Sequence, residues 1–436
     1  MAAHARRRRH VPQGRHLQFR LGRLRRAARP PAGALALLAV VGPGLLAGLS
    51  DDDPAGITTY SVLGAEHGYR LLWVLVASTV ALVVFHELAV RIGVVTGKGL
   101  LELVRARHGR RAALLVAGTL VVANTATMAA EFAGVAAAAD LLHLGPRWVA
   151  VPAAAVLVTG LVLAESFHRV EHVLLLLSAV FVAYVVAGVL AEPDWAAAGR
   201  GAVVPSLPGT SDGLLAVTAT VGTTLAPWGL AFVQSYAVDK RLTPADLRLE
   251  RVDVVAGAVL TGVIGAFIVI ACAATLHVQG VEVDGFRDAA TALEPLAGHL
   301  AATLFGVGML GAALLAASVV PLSTAYSVAE AVGSEARLDD RPAQARTFYA
   351  TFAATVAAGA GAVLVPGVPL ITLLVLSQAL NAVLLVVVLP VLRRLGSDRA
   401  LMGEHALGRA GRAVTALVLV AVVGCVGALG ALTLAG

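Results

Sequence analysis

The chain has 436 residues, of which 58% are hydrophobic and only 14% charged, and its mean hydropathy is +0.84. Water-soluble domains carry about 25% charged residues, so this composition excludes a soluble globular protein and calls for lipid as the solvent of much of the surface. The net charge of +6 does not point to nucleic acid, because the basic residues cluster at the ends of apolar runs without interleaved aromatics, and the two well-separated cysteines, Cys272 and Cys425, exclude a disulfide framework or a cysteine zinc site.

Residues 1–32 form a basic stretch with Arg6, Arg7, Arg8 and Arg9 near its start. It reads as a disordered cytoplasmic tail that touches anionic lipid. No apolar core precedes the first long run, so a removable signal peptide is not expected. Eleven apolar segments follow, near 34–64, 70–95, 112–142, 147–166, 170–191, 213–237, 253–277, 301–330, 345–366, 368–392 and 411–435. Runs of about 20 apolar residues span a hydrocarbon core as helix. With the N-terminus inside, the inner loops hold eighteen Lys and Arg residues and the outer loops four, namely Arg70, Arg147, Arg200 and Arg287. That bias fixes the expected orientation in the cell membrane and leaves the C-terminus outside.

Function in such a chain concentrates where the apolar pattern is broken. The first span, residues 42–64, reads GPGLLAGLSDDDPAGITTYSVLG. Pro54 removes a backbone donor and clashes with the preceding turn, and Gly56 eases the opening, so a helix break is expected beside Asp53. If the span instead ended at Ser50, the aspartates would sit in water and the small, apolar stretch 55–65 would have no role. In the second span His86 and Glu87 read HELAV; Val90 stands where a zinc-protease motif needs histidine, so the pair is expected to approach the inner vestibule or to pair with Arg91. Glu131 lies mid-way along the third span and is a candidate for ion passage or gating. In the sixth, residues 217–240, Pro227 and Gly229 interrupt the run. Ser377, Gln378 and Asn381 place polar groups inside the tenth, facing a site or bridging helices.

The two interruptions match: Asp53-Pro54-Ala55-Gly56 and Ala226-Pro227-Trp228-Gly229 each open a set of five helices. Broken helices at corresponding positions of two halves are the mark of an inverted-repeat transporter with its site near the midplane. The expected organisation is therefore the tail, a ten-helix core over 33–395, and a loop with an eleventh helix over 396–436. A carboxylate beside exposed carbonyls is chemistry for a hard divalent cation.

At these motifs the chain resembles the natural-resistance-associated macrophage protein (Nramp) family of divalent-metal transporters. The likeness runs through GPGLLAGLSDDDPAGITTY, GYRLLWVL, AVRIGVVTGK, AAEFAGVAAAADLL and LSQALNAVLL, in that order over most of residues 40–395. It implies an all-α, leucine-transporter-like 5+5 inverted repeat with helices 1 and 6 broken, plus one extra helix. It further implies metal contacts from Asp53, Ser50, Gly56, Thr223, Ala226 and Gln378, with Trp228, Gly229, Asn381, Glu131, Pro54 and Pro227 lining or gating the site. The departures share a direction. Gly56 stands where the family has asparagine, Ala226 replaces a methionine, and Trp228 and Val233 stand at two histidines. In the third helix Met128 takes the place of an aspartate, while Glu131 is kept.

Losing the thioether removes a preference for soft ions, and a roomier oxygen site suits Mg²⁺, which keeps several waters. The chain thus looks like the Nramp-related magnesium-transporter branch. Mg²⁺ is the expected substrate, with Mn²⁺ also accepted, and proton coupling is not expected because the family's obvious proton carriers are missing. The alternative is a proton-coupled Mn²⁺/Fe²⁺ symporter of the main family type. A sodium-coupled amino-acid carrier would place a substrate carboxylate where three aspartates stand, and no nucleophile–base pair or zinc motif supports an enzyme. The expected partners are the cation and the lipid bilayer; no cofactor and no nucleic acid are expected, and the sequence is silent on oligomeric state.

Overall fold

In the computed structural model residues 43–163, 179–207, 209–281, 283, 286–334 and 342–435 are described. The basic tail, the start of the first span, Arg169 and the loop with Arg337 and Arg341 lie outside the described residues. Among those described, eight helical stretches are long and apolar enough to cross a membrane. The other three expected spans are also helical where described. The first is a pair of half-helices, α1 (Pro43–Asp51) and α2 (Pro54–His67). The fourth is the shorter α5 (Arg147–Leu163), and the fifth is described from Ala179 and ends in α6 (Ala183–Leu190).

Between these lie α3 (Leu72–Thr96) and α4 (Leu100–Leu141). Helix α7 (Trp195–Val203) turns back from the fifth span at 120°. The sixth span is again split, into α8 (Ser211–Thr224) and α9 (Pro227–Asp239). It is followed by α10 (Leu247–Cys272), the short α11 (Phe286–Thr291), α12 (Ala301–Val332), α13 (Arg346–Leu364), α14 (Leu370–Ser397) and α15 (Arg409–Ala435).

The five-helix repeat is visible in the packing. The seventh span, α10, packs along both halves of the first, and the second span, α3, packs along both halves of the sixth. The third and eighth, α4 and α12, lie against each other as the central pair; the ninth leans on the third as the fourth leans on the eighth. Small residues let the broken helices come close. A methyl group on Gly48 would lie 2.6 Å from the carbonyl carbon of Gly257, so α1 and α10 meet backbone to backbone. Thr261 on α10 donates its hydroxyl to the Gly48 carbonyl. The eleventh helix packs on the sixth and tenth spans and exposes most of its surface.

One expectation is corrected. The third helix begins at Leu100 rather than near 112, because residues 100–108 already form helix, set off by a kink at Gly109 with φ 82° and ψ 171°. The charges at Glu102, Arg105 and Arg107 hid this segment from an apolar count. Arg107 there pairs with Asp398, beyond the tenth span.

Candidate metal site

Both breaks fall at prolines. At the first, Asp53 adopts an extended conformation (φ −82°, ψ 168°) and Pro54 opens α2. Proline is well placed there because its missing N–H is an orphan of any helix start. The Asp53 carboxylate accepts the Gly56 N–H at 2.6 Å and so caps α2. At the second, Leu225 and Ala226 leave the helix (φ −106°, ψ 33° and φ −43°, ψ 127°) before Pro227 opens α9, where no side chain caps the new start. The two breaks are tied together: the Tyr60 hydroxyl on α2 hydrogen-bonds Thr224 Oγ1 on α8 at 3.0 Å.

All three aspartates are buried, Asp51, Asp52 and Asp53 being 1%, 2% and 3% exposed. The possibility that they sit in bulk water is thereby removed. Neither carboxylate oxygen of Asp51 or Asp52 has a hydrogen-bond partner, and the charges acting most strongly on each are the neighbouring aspartates. Glu131, fully buried on α4, adds a fourth carboxyl, and Asp53 faces it at interaction range. Four buried carboxyls without a basic partner among them need either protons or a cation to neutralise their charge.

Gly56 marks a point where oxygens of both broken spans converge. A carbon built on its Cα would lie 2.8 Å from the Asp51 carbonyl oxygen, 3.1 Å from Thr223 Oγ1 and 3.2 Å from Asp53 Oδ1. Three oxygens from both broken spans thus surround one small space that any side chain at 56 would fill. Thr223 Oγ1 has no other partner. Among the described residues no three histidine, cysteine, aspartate or glutamate side chains form a ready-made metal cage. The donors over Gly56 are a main-chain carbonyl, a hydroxyl and one carboxylate.

The other expected residues border this space in different ways. Ser50 is buried, but its hydroxyl is spent on the Leu46 carbonyl at 2.8 Å. Ala226 is buried at the second break and offers no side-chain donor. Gln378 lies on α14 where its carbonyl abuts Gly222, one residue before Thr223. Its side-chain oxygen accepts from Asn381 at 2.9 Å, and Asn381 also donates to Thr127 on α4 at 3.1 Å. That amide pair therefore bridges helices. Pro54 packs against Gly134 on α4. Trp228 is fully buried, with its carbonyl accepting from Ser323 at 2.7 Å.

The expected pairing with Arg91 holds for Glu87 but not for His86. Glu87 pairs with Arg91 and Arg251. His86 is fully buried, neither ring nitrogen has a partner, and Nε2 lies beside Gly229. Its imidazole belongs to the core next to the breaks.

Two cavities approach from opposite ends. One of about 380 Å³ is lined by Glu102, Arg105, Ser235, Asp239, Tyr326 and Glu330, toward the loops that hold most of the basic residues. The other, of about 260 Å³, is lined by Thr59, Glu66, Asp212, Ala219 and Thr372 among others. The lining of the first is tied by polar bonds: Ser235 donates to Glu330 at 2.6 Å, and Glu330 accepts the Leu101 N–H at 3.0 Å.

Known proteins share this architecture. A Deinococcus radiodurans protein described as divalent metal cation transporter MntH is 34% identical over 325 residues, 71% of this chain and 72% of its own. A protein of the same description from Ralstonia nicotianae is 33% identical over 390 residues, 86% of each chain. The crystal structure of an Eremococcus coleocola manganese transporter superposes with a TM-score of 0.71 at 21% identity, covering 92% of this chain and 88% of that one. A nucleobase-cation-symport-1 family transporter shares the fold more distantly, with a TM-score of 0.55 at 14% identity over 85% of this chain and 80% of that one. The family model for natural resistance-associated macrophage protein-like (Nramp) proteins matches residues 44–432, and the chain belongs to that family.

Proposed function

We propose that this protein carries divalent cations across the cell membrane by alternating access, with Mg²⁺ as its main substrate and Mn²⁺ also accepted. The N-terminus lies inside and the C-terminus outside, and the ten-helix core does the transport. The observation that carries the reading is the convergence of Asp51 O, Thr223 Oγ1 and Asp53 Oδ1 over Gly56, between two broken helices. These are hard oxygen donors with no sulfur, the ligand type that Mg²⁺ takes. Ser50, Ala226 and Gln378 shape the walls, and Glu131 supplies a further carboxyl beside Asp53. The metal cargoes named for the relatives, divalent cations and manganese, fall in the same class.

Purified protein in liposomes tests this. Excess Mg²⁺ should suppress Mn²⁺ uptake, and Asp53→Ala should cut Mg²⁺ uptake by about tenfold or more, as loss of a metal-site group does. Mn²⁺ uptake indifferent to Mg²⁺ would overturn the choice of ion. A second reading, a proton-coupled Mn²⁺ carrier, is favoured by one observation, the carboxyl of Glu131 facing Asp53.

A further inference from the structure

His86 is the only fully buried histidine among the described residues, and both its ring nitrogens go without a hydrogen bond. A neutral imidazole carries one donor and one acceptor, and buried polar atoms of native proteins nearly always find partners. Asp51, 1% exposed, is in the same position with both carboxylate oxygens. The two meet at one place. A carbon built on Gly229 would lie 3.2 Å from His86 Nε2 and 3.7 Å from Asp51 Oδ1. Three elements build this spot: α1 ends in Asp51, α3 carries His86, and α9 presents a glycine whose missing side chain leaves the gap.

The place is distinct from the space over Gly56. There Asp51 contributes its main-chain oxygen; here it contributes its side chain, on the α1 and α9 side of the two breaks. With the N-terminus inside, that is the inner side. The donor set differs as well. Over Gly56 the donors are all oxygens, whereas here an imidazole nitrogen joins a carboxylate. Imidazole suits first-row transition ions and Mg²⁺ prefers oxygen and water.

We propose that His86 and Asp51 form a second coordination position for the transported cation, on the inner side of the Gly56 space, which favours first-row transition ions over Mg²⁺. Water completes the shell, since the position has two protein side chains. The inference rests on the reading of the Gly56 space as a cation site. It adds that ions leaving that space inward pass a nitrogen ligand, so selectivity is read twice along one path.

Two measurements test it. In liposomes, His86→Leu should lower the ratio of Co²⁺ uptake to Mg²⁺ uptake about tenfold, the scale on which a lost metal contact acts. In detergent, wild-type protein labelled with ¹⁵N-histidine and loaded with Mn²⁺ should show nitrogen coupling in pulsed electron paramagnetic resonance, and His86→Leu should lose it. If His86→Leu fails to fold, Gly229→Ala replaces it, since its methyl group would press on Nε2 at 3.2 Å and should weaken the coupling. Absence of nitrogen coupling in the wild type, or equal losses of Co²⁺ and Mg²⁺ uptake in a folded variant, overturns the proposal. Asp53→Ala separates the two readings: if it spares uptake of both ions, the Gly56 site itself is wrong, whereas if it abolishes both while His86→Leu changes neither, only the second position falls.

Discussion

At the scale of single residues, both proposed positions lie where a glycine lacks a side chain. Gly56→Ala would put a methyl group 2.8 Å from the Asp51 carbonyl oxygen, closer than real carbon contacts come, and within 3.2 Å of two more oxygens. The prediction is a rise in the half-saturating Mg²⁺ concentration of about tenfold or more in the protein that folds, measured by uptake in liposomes; an unchanged concentration dependence would show that the space is not where the ion sits. Asp53 and Gly56 stand at a break that proline makes visible in an apolar run, whereas Thr223 was legible only through the family resemblance. His86 was misread for a geometric reason. Successive helix residues point about 100° apart, since a turn takes 3.6 residues. Glu87 therefore reaches Arg91 one turn on and also Arg251, while His86 turns into the bundle. The charged neighbours supplied an explanation that belonged to only one of the two.

At the scale of elements, proline made the breaks legible, but what holds the broken pieces was not. The nine-residue half-helix α1 begins with its first N–H groups aimed at another helix: Asp253 on α10 accepts from Gly44 at 2.7 Å and from Leu45 at 3.3 Å. The two partners are 209 and 208 residues apart in sequence, so no local pattern reveals the cap. A carboxylate at a helix start satisfies orphan donors and complements the helix dipole. Loss of such a charged bond costs about 1.5–3 kcal/mol, a large share of what keeps a short half-helix docked. Asp253→Asn should therefore loosen α1. A cysteine introduced as Ser50→Cys, at a position 1% exposed in the intact protein, should react faster with a membrane-impermeant maleimide when Asp253→Asn is also present; equal labelling rates would mean that α1 is held by its glycine contacts with α10 alone. The helical segment 100–108 was missed for the opposite reason, its charges being the cause of its invisibility in a count of apolar residues.

At the scale of the whole molecule, the repeat was legible because two similar breaks sat five spans apart, and the packing of α10 on the first span and α3 on the sixth carries the same offset. The repeat brings two half-helix ends together around buried carboxylates, but a shared fold does not choose a cargo or an energy source. The source has to come from charge. Moving one elementary charge across 100 mV is worth about 2.3 kcal/mol, so a divalent cation gains roughly 4.6 kcal/mol, enough for more than three decades of accumulation. A carrier with that drive needs no proton partner, and the positions where the family resemblance implies histidines hold Trp228 and Val233. We therefore predict that Mg²⁺ uptake into liposomes follows an imposed potassium diffusion potential and is little changed by a pH gradient. A lumenal dye should stay level while Mg²⁺ enters. Acidification in step with influx would instead make Glu131, the carboxyl facing Asp53, the proton carrier to test first, with Glu131→Gln expected to abolish the acidification and keep the flux that the potential drives.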